Sequence, residues 1–174
     1  MIEEQLMKEL DNFEYGCLDK DGNNIAASGA WKKEFSDNFH LLSPEELSEV
    51  KCGVCLDQVE YERDYLEKNN YKVESYFICL EFKEKERFHT FLVFYKEDKC
   101  YWLEHAIENY KGIHEYNNIN ELLKDVKEKY YLEEGTKLQD YIGTYFIKYE
   151  KPEFGIDIFK YVKYIHSFDK IVIE

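Results

Sequence analysis

Cys52-Gly53-Val54-Cys55-Leu56-Asp57-Gln58-Val59-Glu60 is the stretch on which the reading of this chain turns. Just upstream, Ser43-Pro44-Glu45-Glu46 is a strong helix start: Ser as N-cap, Pro at the first helical position and Glu46 placed to reach back in a capping box. A short helix over residues 44–50 therefore delivers the chain to Gly53, and a second helix is expected over 54–68, ended by Asn69-Asn70. Cys55, Val59 and Leu66 share one face of it, Glu62 interrupts that face and Gln58 lies beside it. Cys55 thus stands at a helix start, where the partial positive charge of the first amides favours a thiolate.

Downstream the periodicity changes. Segments 72–82, 88–96 and 99–107 are rich in Val, Ile, Phe and Tyr between charged turns and are expected to be strands. Asn118-Ile119-Asn120-Glu121 opens another capped helix, buried through Leu122, Leu123 and Val126, to about residue 131. Residues 138–150 read as a further strand, and 156–165 as a helix before a short strand-like end. At the other end, Leu6 and Leu10 mark a helix within residues 2–12. The pattern is α+β, with helices, including the one bearing Cys55, packed against one antiparallel sheet. Without a Pro/Gly/Ser-rich linker, a chain of 174 residues is expected to form a single domain, with a core over 43–107, an N-terminal helix and turn over 1–42, and a C-terminal strand and helix over 137–174.

The strand pair 88–107 permits a geometric test of what faces what. A turn centred between Glu97 and Asp98 makes opposed positions sum to 195, so that His89 opposes Ala106 and Glu104 opposes Phe91. His89 and Glu104 then lie on one face as diagonal neighbours, roughly 7–8 Å apart at the backbone. A one-residue slip would bring His105 beside His89 instead. In the expected register the roles follow from chemistry: Cys55 as nucleophile, His89 as the imidazole that takes its proton, Glu104 as the carboxylate that fixes the ring.

These residues resemble the transglutaminase-like superfamily of cysteine enzymes, relatives of the papain fold: Gly53-Val54-Cys55-Leu56-Asp57, then Phe88-His89-Thr90-Phe91, then Trp102-Leu103-Glu104. The order Cys, His, acid and the 15-residue step from His to acid carry the resemblance, which covers mainly residues 43–107 and extends to His114 and Glu115 as a subgroup signature. Leu56 departs from a frequent aromatic, and Glu104 from the usual Asp. The resemblance implies acyl transfer from amides through a thioester on Cys55, most simply peptide or amide hydrolysis of a peptide or protein substrate, with the Cys55 N–H as one oxyanion donor and no cofactor. The second donor and the substrate-binding residues are not named by it. A catalytically idle descendant that binds peptides or a protein partner is the competing expectation.

Composition narrows the rest. With 23 basic and 37 acidic side chains the net charge is −14, which opposes binding to nucleic acid or anionic lipid. No apolar run approaches the roughly 18 residues of a membrane helix, and the acidic start Met1-Ile2-Glu3-Glu4 is unlike a secretory signal. Five irregularly spaced cysteines suit a reducing compartment, so a cytoplasmic protein is expected, and the Lys, Asn, Ile and Tyr bias resembles AT-rich bacterial sequences. Cys52 and Cys55 form C-x-x-C, yet neither a second ligand pair for zinc nor a βαβ context for redox chemistry accompanies them. An EF-hand beginning at Asp19 fails because its sixth and twelfth positions are Asn24 and Ala30. His40, His105, His114 and His166 have no metal-ligand spacing, and Cys17, Cys79 and Cys100 read as buried apolar residues.

Overall fold

The computed structural model describes residues 1–27 and 31–174, so Ala30 of the rejected calcium loop lies outside the described residues. In chain order the elements are α1 (Ile2–Leu10), β1 (Glu14–Tyr15), α2 (Trp31–Asn38), α3 (Pro44–Val50), β2 (Cys52–Gly53), α4 (Cys55–Lys68), β3 (Lys72–Phe82), β4 (Glu86–Lys96), β5 (Lys99–Glu104), β6 (Gly112–Tyr116), α5 (Ile119–Glu134), β7 (Tyr141–Tyr149), α6 (Ile158–Ile165) and β8 (Lys170–Ile171). The six strands β6-β5-β4-β3-β7-β8 form one sheet in that order, and every neighbouring pair in it is antiparallel.

Helices cover both faces of the sheet, because the central strands are apolar on both sides. In β3, Tyr76, Ile78 and Leu80 cluster with Leu122, Leu123, Val126 and Tyr130 of α5, while the alternate Phe77 and Cys79 cluster with Ile158, Tyr161 and Ile165 of α6 and with Cys55 and Leu56 of α4. Leu92 and Phe94 of β4 pack on the α4 side against Val59, Leu66 and the α1 residues Leu6 and Leu10. A buried polar staple reinforces this layer. Arg63 of α4 donates to Glu60 at 2.8 Å and also to Ser75 of β3, whose hydroxyl donates to the Tyr149 carbonyl at 2.7 Å.

Several elements differ from expectation, each for a local reason. The strand expected over 99–107 stops at Glu104, because its carboxylate accepts the N–H groups of Ala106 and Ile107 and folds the chain back on itself. β6 was not expected: His114 and Glu115 break its apolar pattern, which an edge strand paired only to β5 tolerates. α2 and the two-residue parallel pair β1–β2 also went unforeseen, being too short to carry a period. Among the described residues, no helix is long and apolar enough to cross a membrane.

Candidate active site

The capping box of Ser43 and Glu46 starts α3 as expected, and α3 ends at Lys51 in a left-handed conformation (φ 56°) whose N–H returns to Leu47. That turn sends Cys52 and Gly53 alongside β1, pairing Glu14 with Cys52 and Tyr15 with Gly53. Val54, at the N-cap of α4, has no polar side chain to cap with, and Asp57 takes over the task. Its Oδ2 accepts the Val54 N–H and its Oδ1 the Leu42 N–H, both at 2.9 Å. Gly53 makes room for this carboxylate, since a Cβ there would meet Asp57 Cβ at 3.0 Å and Leu47 Cδ1 at 2.9 Å. Cys55 is thereby fixed as the first residue of α4.

Burial pushes the Asp57 carboxyl up to about 7, against the two backbone donors that lower it. A carboxyl raised in the fold stabilises fully below its ordinary 3.8, and that stabilisation is lost as pH rises through about 7. Asp57→Asn, which cannot ionise, is expected to lose less stability than the natural protein between pH 4 and pH 8 in urea titrations. Asp57→Ala, leaving two backbone donors without their acceptor, is expected to cost about 2–4 kcal/mol at neutral pH.

The β4–β5 hairpin has the expected register: Leu92 opposes Leu103, Val93 opposes Trp102 and Lys96 opposes Lys99 across a two-residue turn. His89 Nε2–H accordingly donates to Glu104 Oε1 at 2.7 Å, with both side chains buried. Glu104 Oε2 accepts the Ala106 and Ile107 N–H groups at 2.9 and 3.0 Å, so this carboxylate is held from three sides. The His89 ring stacks on Tyr130 at 5.7 Å. With Nε2 committed to Glu104, Nδ1 is the nitrogen left for Cys55, which lies close enough for the two groups to shift each other's ionisation. His105, the residue after β5, faces Gln58 and Asp11 instead.

Because β5 ends at Glu104, β4 from Glu86 to Phe91 is paired only to β3. The Cys55 side chain lies at this open side, near His89 and Thr90, both of which favour its charged form. Thr90 Oγ1 is buried and has no hydrogen-bond partner. Burial raises the Cys55 thiol, but the hydrogen bond and charge of His89, with the contribution of Thr90, outweigh it and hold the thiol below its ordinary range. Burial lowers His89, while the Glu104 charge and the Cys55 sulfur more than reverse that and raise the ring. The two shifts belong to one coupled pair in which each group favours the charged form of the other.

The remaining thiols behave oppositely. All five cysteines are free, and burial pushes Cys17, Cys52 and Cys79 up to about 11. Cys52 is therefore no partner in the chemistry of Cys55, despite the C-x-x-C spacing. Glu62, two turns along α4 from Cys55, is 3% exposed. Its burial and the nearby Glu104 charge push its carboxyl well above the ordinary range.

Cys55 opens into a cleft of about 480 Å3 walled by Tyr15, Phe35, Leu56, Phe88 and Ile158, with Glu86 and Arg87 also lining it. Among the described residues no three His, Cys, Asp or Glu side chains converge as a metal-holding group. His40 meets Glu46, His114 donates to the Tyr110 carbonyl and His166 meets Tyr145. The structure therefore brings Cys55, His89 and Glu104 together and adds Tyr15, Thr90, Asp57 and Glu62. Of these four, Glu62 was legible as the charge interrupting the apolar face of α4, Asp57 and Thr90 stood within the quoted motifs without a role, and Tyr15 left no signal. No protein-family model matches this chain, and no curated protein matches it.

Proposed function

We propose that the protein is a cysteine-nucleophile acyl-transfer enzyme of transglutaminase-like type, hydrolysing peptide or amide bonds through a thioester on Cys55. The observation that carries the reading is the Cys55 sulfur set against a His89 ring whose far nitrogen is held by Glu104 at 2.7 Å. The Cys55 thiolate attacks the amide carbonyl carbon and the carbonyl electron pair moves to oxygen. Collapse of this intermediate expels the amine, which takes the proton carried by His89. Water then loses a proton to His89 and attacks the thioester carbon, releasing the acid and restoring the thiolate–imidazolium pair. Glu104 keeps the ring in one tautomer and stabilises its charge throughout. The apolar cleft beside Cys55 suits an acyl group with apolar side chains, a peptide or protein segment among them.

The test is iodoacetamide alkylation followed across pH, with the modified residue identified by mass spectrometry. Cys55 is expected to label with a midpoint below that of an ordinary thiol, near 8.5. Cys17, Cys52 and Cys79 are expected to stay unlabelled. Acylation by p-nitrophenyl acetate is expected to give a burst of one acyl group, lost in Cys55→Ser. A Cys55 that reacts no faster than a free thiol would instead favour a peptide-binding protein on an idle scaffold, a reading to which its small exposure, 7%, lends itself.

A further inference from the structure

Among the polar groups around the Cys55 sulfur, Tyr15 has no assigned task. It reaches the site from 40 residues upstream because β1 pairs with β2, setting Tyr15 opposite Gly53 and two residues short of Cys55. Its backbone is fixed by several contacts. The Gly16 N–H donates to the Gly53 carbonyl at 3.1 Å, and Asn24 Nδ2 donates to the Tyr15 carbonyl at 3.1 Å and to Glu14 at 2.9 Å. Gly16 is required there, because at φ 154° an added Cβ would fall 2.0 Å from the Asn24 side chain. The ring is nevertheless 46% exposed and forms one wall of the cleft. Its hydroxyl turns inward, near enough to the side chain and the backbone N–H of Cys55 for both to act on its ionisation, and Tyr15 and Cys55 line the same cleft.

Those two atoms define the reacting centre. Attack places the carbonyl carbon on the sulfur and swings the carbonyl oxygen towards the N–H at the helix start. The Tyr15 hydroxyl lies beside both. We propose that Tyr15 is a catalytic residue, the second hydrogen-bond donor of the oxyanion hole alongside the Cys55 N–H; the assignment rests on Cys55 being the nucleophile. As the S–C bond forms, the carbonyl π pair becomes a lone pair on oxygen. The arriving oxygen accepts from the Cys55 N–H, and the Tyr15 hydroxyl points its hydrogen at the same oxygen. No proton changes hands, so Tyr15 stays a phenol from start to finish. Burial of the hydroxyl and the charge on Cys55 keep it protonated, the state a donor needs. Thr90 also carries a hydroxyl near Cys55, but it is 1% exposed and does not line the cleft, so it is out of reach of the substrate oxygen.

Two reagents separate this role from its rivals, because acylation by p-nitrophenyl acetate passes through an oxyanion and alkylation by iodoacetamide does not. In Tyr15→Phe the acylation rate, read at its pH plateau, is expected to fall on the order of 100-fold, while the plateau alkylation rate stays at the natural value. The half-exposed ring is retained, so the thermal midpoint should not move. The proposal is overturned if both rates rise together, which would make the hydroxyl a plug that reagents displace. It is equally overturned if both fall together, or if neither changes. If Cys55 of the unaltered protein reacts with neither reagent, the nucleophile reading itself has failed, a result distinct from a failure of Tyr15 alone.

Discussion

His89→Ala is expected to move the midpoint of Cys55 alkylation from below the ordinary thiol range to above it. Burial alone raises this thiol, and the ring is the first of the groups that reverse the effect. Each unit of upward shift lowers the thiolate fraction at neutral pH about tenfold. With the proton acceptor also gone, acylation by p-nitrophenyl acetate at pH 7 is expected to fall about 1,000-fold or more. The stability of this variant has its own pH signature. His89 is raised above its ordinary 6.5 by Glu104 and Cys55, so its contribution is complete below pH 6.5 and is lost as pH climbs through the raised value. The stability difference between the natural protein and His89→Ala should therefore shrink towards alkaline pH in parallel urea titrations. An alkylation midpoint that does not move would show that the ring does not govern the sulfur.

Glu104→Ala is expected to be the most destabilising single change at the site. It removes one half of a buried ion pair and strands the N–H groups of Ala106 and Ile107 as well as the His89 ring. Breaking such a pair from one side costs about 3–5 kcal/mol, a large share of the stability of a domain this size. Glu104→Gln keeps an acceptor for the ring while removing the charge. It should fold better than the alanine variant yet still raise the alkylation midpoint and slow acylation by about 100-fold or more. Equal thermal midpoints for Glu104→Ala and the natural protein would show that the carboxylate is not structural.

The pairing of His89 with Glu104 was legible because a two-residue turn leaves no freedom in the sum of opposed positions. Once Lys96 faces Lys99, the rest of the ladder follows, and so does the identity of the acid. The start of α3 and the placement of Cys55 at the head of α4 were legible from capping chemistry. Tyr15 was not, because a parallel pair two residues long leaves no periodicity and the contact spans 40 positions. Thr90 was hidden for another reason: its backbone N–H is available only because β5 stops short, and β5 stops because of a side chain that looked merely catalytic. Helices on both faces of the sheet were only half visible, since a run such as Phe91-Leu92-Val93-Phe94 signals two buried faces without saying which helix covers which.

The early end of β5 has a consequence outside chemistry. A strand left bare on one side offers its N–H and C=O groups to any other extended chain, the usual route by which sheet proteins aggregate edge to edge. Here the Cys55 side chain, at the head of α4, lies near Thr90 on this open stretch of β4. The side chain proposed as nucleophile thus also covers part of an otherwise open sheet edge.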